Sequence, residues 1–125
     1  MLIERLIVKG RCVLNKSSGK KTSGPKGSSH EADFDALYDA FLQLRTRDEC
    51  KRFMIDLCTP SEIHAFAERW RVAKLLNEKV LSYREIHAKT GVSITTIGRV
   101  ARFLDQESYQ GYHLVMQRLS GGKKN

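Results

Sequence analysis

The chain has 125 residues, of which 41% are hydrophobic and 29% charged, with a formal net charge of +8 and a pI near 9.6. That length holds one domain with room for an added arm, and the basic balance favours a polyanionic partner. No run of 18 apolar residues occurs, and the apolar N-terminal stretch is short and charge-broken, so neither a membrane span nor a secretory leader is expected.

Cys12, Cys50 and Cys58 are odd in number and form no CxxC pair, which reads as reduced thiols and a cytoplasmic setting. His30, His64, His87 and His113 are scattered with no pair at i, i+4. No metal site and no cofactor are expected from that pattern.

Residues 1–14 are apolar but interrupted by Glu4, Arg5, Lys9 and Arg11. Residues 15–30 have no large apolar side chain and are rich in Ser, Gly and Lys. Such a stretch cannot bury enough surface to offset its ordering entropy, so residues 1–30 read as a basic, largely disordered extension. It holds seven cations against Glu4 alone, a net of +6, whereas the other 95 residues carry a net of only +2. The extension either adds sequence-independent phosphate contacts or is dispensable.

A helical domain is expected over residues 31–120. Leu37, Tyr38, Phe41 and Leu42 follow Phe34 at helical spacing. Thr46 and Glu49 form a capping box ahead of a short helix bearing Cys50, Phe53, Met54 and Leu57. Thr59-Pro60-Ser61-Glu62 is the clearest helix start: a capping threonine, proline at the first helical position, glutamate at the third. The helix it opens runs to about Lys79, with Ile63, Phe66, Ala67, Trp70 and Ala73 on one stripe and Val72, Leu75 and Leu76 beside it. So wide an apolar band predicts packing on two sides, the second against another subunit.

The central feature lies at 82–104. Ser82 and Glu85 form a third capping box, and Ile86 and Ala88 are expected to point inward. Gly91 permits a left-handed turn, Val92 plugs it, and Ser93 caps a second helix from Ile94 to Leu104. Ile97, Val100, Ala101 and Leu104 fall at i, i+3, i+4 and i+7 on its apolar side. The other side carries Thr95, Thr96, Gly98, Arg99 and Arg102. A helix buried on one face and suited to phosphates and base edges on the other is what a helix-turn-helix requires. Between Ser82 and Leu104 the charge is +3, from Arg84, Lys89, Arg99 and Arg102 against Glu85. Asp105 is then expected to start a last helix with Tyr109, Tyr112, His113, Met116 and Leu119 inward, before a flexible tail over 121–125. The sum is six helices and no convincing strand, an all-α chain small enough that a dimer would help to cover its apolar faces.

These residues carry a resemblance. They are Leu57-Cys58-Thr59-Pro60-Ser61-Glu62, Arg69-Trp70-Arg71, Leu75-Leu76, Ser82-Tyr83-Arg84-Glu85-Ile86, Gly91, Ile94, Thr95-Thr96-Ile97 and Arg99, and from Thr59-Pro60 through Arg99 their spacing is similar to that of the Trp repressor superfamily without a gap. From Phe34 to Leu119 the chain resembles that superfamily, especially its uncharacterised branch of small bacterial helix-turn-helix proteins. The resemblance implies a six-helix, intertwined homodimer that binds double-stranded DNA as a sequence-specific transcriptional regulator, a repressor. It places Tyr83, Arg84, His87, Ile94, Thr95, Thr96, Gly98 and Arg99 on the DNA face. Arg84 is the expected base contact, because a guanidinium pairs with guanine O6 and N7 in bidentate fashion. Lys89, Arg99 and Arg102 are expected on phosphates, and Gly98 departs from the family's hydroxyl residue.

The same resemblance implies a ligand slot. Thr59, Arg69 and Arg99 match its kept positions. Val100 and Phe103 stand where the family has a glycine and a serine, and Asp56 and Cys58 where it has leucines. Added volume in a tight slot costs about 1–3 kcal/mol. L-tryptophan is therefore not expected as corepressor, and Val100 and Phe103 are expected to fill the slot instead. The alternative function is a protein–protein adaptor that has lost operator reading. An enzyme has little support: the chain shows no nucleophile arrangement, no GxxxxGK loop and no metal spacing.

Overall fold

The computed structural model describes residues 29–122, and the basic extension expected over 1–28 and the tail expected over 123–125 lie outside them. The described residues form six helices and no strand: α1 (Ser29–Leu42), α2 (Arg47–Leu57), α3 (Pro60–Glu78), α4 (Tyr83–Thr90), α5 (Ile94–Asp105) and α6 (Gly111–Gly121). Among the described residues, those up to Arg45 and those from Thr46 onward belong to two separate compact units.

In the first unit, α1 carries Phe34, Tyr38 and Leu42 at helical spacing, all more than half exposed. In the second, each of the three capping boxes closes in both directions. The Thr59 amide donates to Glu62 Oε2 over 2.7 Å, and the Glu62 amide donates back to Thr59 Oγ1 over 3.3 Å. Ser82 and Glu85 repeat this at 2.7 and 3.3 Å. Each box satisfies donors that a helix start would otherwise leave bare. Helix α3 stops where Lys79 turns left-handed at φ 56° and its amide bonds to the Leu76 carbonyl.

Helix α5 is the hub, packing against α3, α4 and α6. Val72 and Ala73 of α3, Ile86 of α4, Val92 of the turn and Ile97 and Val100 of α5 form one buried cluster. Leu75, Leu76, Leu81, Tyr112 and Met116 pack around it. Ala101 and Leu104 are buried as well, so the whole expected stripe of α5 faces inward. Fully burying a side chain such as Ile86 or Ile97 contributes about 1.5–3 kcal/mol, so this cluster is what holds the helix-turn-helix together.

Three expectations are corrected. Ala88 is exposed, because it sits two residues and about 200° of helix from the buried Ile86. Asp105 ends α5 rather than opening the last helix. Gln110 turns left-handed at φ 55°, and α6 begins only at Gly111 with no side-chain cap. The chain therefore breaks between α5 and α6, which leaves Tyr109 80% exposed, while Leu119 on α6 is 59% exposed. Along α3 only Val72 and Ala73 are buried, and Phe66 nearer its start is 45% exposed.

Candidate nucleic-acid interface

The α4–α5 turn is knitted by three side chains. Gly91 adopts φ 76°, the left-handed region where a Cβ is penalised, and its amide reaches the His87 carbonyl over 2.8 Å. Thr90 Oγ1 donates to the Ile86 carbonyl at 2.7 Å and accepts from the Val92 amide at 3.1 Å. His87 Nδ1 lies 2.7 Å from the Val92 carbonyl. A carbonyl only accepts, so Nδ1 carries the proton there. Ser93 then caps α5, its Oγ accepting from the Thr96 amide at 3.2 Å and donating to Thr96 Oγ1 at 2.9 Å.

This turn aims two helix faces outward. On α4, Arg84 stands two residues from Ile86 and nearly opposite it, with His87 one turn further on. Tyr83, Arg84, His87 and Lys89 are all exposed, and neither Arg84 nor Lys89 makes an ion pair with any described residue. On α5, Ile94, Thr95, Arg99 and Arg102 are exposed, while Thr96 and Gly98 are half-buried. A Cβ placed on Gly98 would meet no atom within 4 Å, so its surface is open. All ten residues expected on the DNA face thus lie on these two helices.

Two of the cations are already engaged. The Arg99 guanidinium carbon sits 4.6 Å from the centroid of the Phe103 ring. Arg102 lies over the same ring at 5.1 Å, and its Nε is 3.4 Å from Glu107 Oε1. Phe103 in turn stacks on Tyr109 with centroids 6.5 Å apart.

Behind the reading face lies a cleft of about 510 Å³. Arg69 and Trp70 of α3, Arg99, Val100 and Phe103 of α5, Tyr109, and Gly111, Tyr112 and Val115 of α6 line it. Of the three expected ligand residues, Arg69 and Arg99 meet here. Thr59 does not line the cleft; its hydroxyl is held by Glu62 at 2.9 Å. Val100 and Phe103 do not close the slot, because Val100 is drawn into the core and Phe103 forms a wall. Each arginine nevertheless has an aromatic ring of its own chain beneath it: Phe103 under Arg99, and Phe66 under Arg69 at 5.1 Å. Trp70 also stacks on Tyr112 at 6.3 Å, with Lys74 over the indole at 5.8 Å.

The sequence reading missed the turn roles of Thr90 and His87 and the ring beneath Arg69. The spacing of the stacked pairs was visible, Phe66 three residues before Arg69 and Phe103 four after Arg99. The Val92 partner of His87 had no such signal. Elsewhere, hydrogen bonds from the Ser82 and Thr59 amides and side chains hold the Glu85 and Glu62 carboxyls below their ordinary value.

Residues 32–120 match the family described as Trp repressor protein. The Bacillus subtilis (strain 168) protein called "Uncharacterized protein YerC" is 38% identical over 87 residues, covering 70% of this chain and 82% of its own. The crystal structure of a TrpR-like protein from Eubacterium eligens ATCC 27750 superposes with a TM-score of 0.64 at 41% identity, over 69% of this chain and 87% of that one. A crystal structure from Staphylococcus aureus gives a TM-score of 0.65 at 37% identity, over 71% and 87%.

Proposed function

The chain belongs to the Trp repressor family, and on that premise we propose that it is a homodimeric, sequence-specific DNA-binding regulator that represses transcription without L-tryptophan. One observation carries this reading. The α4–α5 pair is buried on one face through Ile86, Val92, Ile97 and Val100, and its other face exposes Arg84, Thr95 and Arg99.

In this proposal α5 enters the major groove, with Ile94, Thr95, Thr96 and Gly98 near base edges, and Tyr83 borders the contact from α4. Arg84 pairs with guanine O6 and N7. Lys89, Arg99 and Arg102 neutralise phosphates, and Arg102 exchanges Glu107 for one of them. A second copy covers the exposed apolar side chains of α1 to α3, including Leu42, Ile55, Leu57 and Phe66. Two heads then meet successive major grooves, and the bound dimer blocks transcription where its site overlaps a promoter. The chain works in the cytoplasm and performs no catalysis.

Independence from L-tryptophan rests on the two arginine stacks. An indole entering between Arg69 and Arg99 would meet guanidinium groups that each already hold one face against a ring, Phe66 and Phe103. Phe103 holds one face of the Arg99 guanidinium and so orients it without a bound molecule.

The test is in vitro selection of duplex DNA followed by a salt titration. A palindrome with half-sites about one helical turn apart is expected. Log K should fall steeply with log salt, at about 0.9 per neutralised phosphate. Failure to enrich any sequence, with a flat salt response, sinks the proposal. It would favour the adaptor reading, which the internal engagement of Arg99 and Arg102 supports.

A further inference from the structure

We infer that His87 is a proton-linked phosphate contact: neutral, it braces the turn, and as an imidazolium it adds an Nε2–H donor for DNA without releasing Val92. This rests on the DNA-binding reading and adds to it a way in which pH sets affinity.

His87 Nδ1 makes a 2.7 Å contact with the Val92 carbonyl. In a neutral imidazole one ring nitrogen donates and the other accepts. The carbonyl takes the donor, so Nε2 is left as an acceptor. Nε2 has no partner among the described residues, and His87 is exposed. A phosphate oxygen is also an acceptor, so neutral His87 and a phosphate present lone pairs to each other. Uptake of one proton at Nε2 converts that pair into a charge-assisted hydrogen bond. The Nδ1–H bond is the same in both states, so the turn keeps its geometry as the ring titrates.

Position favours a phosphate over a base. The first helix of a helix-turn-helix crosses the DNA backbone while the second enters the groove, and most protein–DNA hydrogen bonds go to phosphate and sugar. Of the charged residues on the elements that pack here, α4 carries Arg84, Glu85 and Lys89, the C-terminal part of α3 carries Arg71, Lys74 and Glu78, and α5 carries Arg99, Arg102 and Asp105. Glu85 is engaged at the Ser82 amide and Arg102 with Glu107. Six cations against three anions on these elements leave a net positive surface that attracts a phosphate.

The probe is a fluorescein-labelled, mixed-sequence 30-base-pair duplex, because a phosphate contact needs no particular sequence. Its affinity for the full chain is measured by anisotropy from pH 5.5 to 8.5 at constant ionic strength. Binding should tighten at least about threefold from pH 7.5 to 5.5, with a limit of about tenfold per pH unit for each reading head. His87→Asn keeps an N–H donor near the Nδ1 position but cannot take up the proton, and its affinity should vary much less with pH. His87→Lys carries a permanent charge and should bind tightly with an equally flat profile. Long-range proton–nitrogen spectra of the unbound wild type at pH 8 should show the proton of His87 on Nδ1. A flat wild-type profile, a His87→Asn profile as steep as the wild type, affinity that falls with acid, or a proton on Nε2 each overturns the inference. Those results leave the DNA-binding reading standing, whereas no binding to any duplex at any pH overturns both. If His87→Asn fails to fold, the His87 ring signals followed over the same pH range with and without the duplex decide: a titration that the duplex leaves unchanged overturns the inference.

Discussion

The Arg99 guanidinium lies over the Phe103 ring at 4.6 Å, one helical turn apart on α5. A stack of this kind contributes about 0.5–1 kcal/mol at an exposed site and more as water is excluded. Its larger consequence is orientation, since the arginine of the reading face is held by a side chain instead of a bound molecule. Phe103→Leu keeps apolar bulk and removes the ring. Affinity for the selected DNA should fall roughly two- to fivefold, the equivalent of that stack. Calorimetric titration of the wild type with L-tryptophan should show no micromolar binding; saturation in that range would refute an occupied Arg99 face.

Arg84 has neither an ion pair nor a stacking ring in this structure and stands opposite the buried Ile86. It approaches DNA with nothing to give up. Arg84→Ala should cost about 1–3 kcal/mol on the selected site and relax one base pair. Arg84→Lys should keep most of the salt dependence and lose that base preference, because an ammonium lacks the two-pronged geometry. Equal weakening on selected and random duplexes would assign Arg84 to a phosphate.

Gly98 leaves open space on α5, with no atom within 4 Å of a built Cβ. Gly98→Ala should therefore raise stability by about 0.5–1 kcal/mol through helix propensity alone. DNA affinity should fall in the same variant if the bare backbone is there to meet the groove. Denaturant melts and duplex binding measured together separate the two effects; unchanged affinity would mean that DNA does not approach this position.

Glu85 and Glu62 titrate below the ordinary glutamate value of 4.5 because the Ser82 and Thr59 amides bond to their charged forms. A carboxyl whose pKa is lower in the folded state stabilises the fold above its unfolded pKa. That contribution is lost as pH falls below 4.5 through the lowered values. The melting temperature should decline over this range, and the Glu62→Gln, Glu85→Gln double variant should decline less steeply. Both carboxylates are exposed, so added salt should reduce the difference.

Leu57 and Phe66 are 46% and 45% exposed, a poor arrangement for large apolar side chains unless a second copy covers them. Sedimentation should give twice the 14.3 kDa chain mass. Leu57→Glu with Phe66→Glu should raise the dimer dissociation constant roughly a hundredfold or more, because each copy would bury unpaired carboxylates. A wild type that sediments as a monomer at micromolar concentration would remove the two-headed mode of DNA reading.

Much of this molecule follows from signals that act within four residues. The boxes at Thr46, Thr59 and Ser82, the left-handed Gly91, the cap at Ser93 and the stripe Ile97, Val100, Ala101 and Leu104 all stand in the structure as the spacing predicts. They are legible because cap bonds and helix faces depend on near neighbours in sequence. Tertiary structure decided the rest. The start of α6 depends on a left-handed Gln110 that no glycine announces. Thr59, Arg69 and Arg99 look alike as motif residues, but only the two arginines reach the common cleft, because that cleft exists only where α3, α5 and α6 converge. The bond from His87 to Val92 crosses a turn whose path is set by the burial of Val92 in the core. Local hydrogen bonding and periodicity thus determined which faces the helices have, and long-range burial determined what those faces meet.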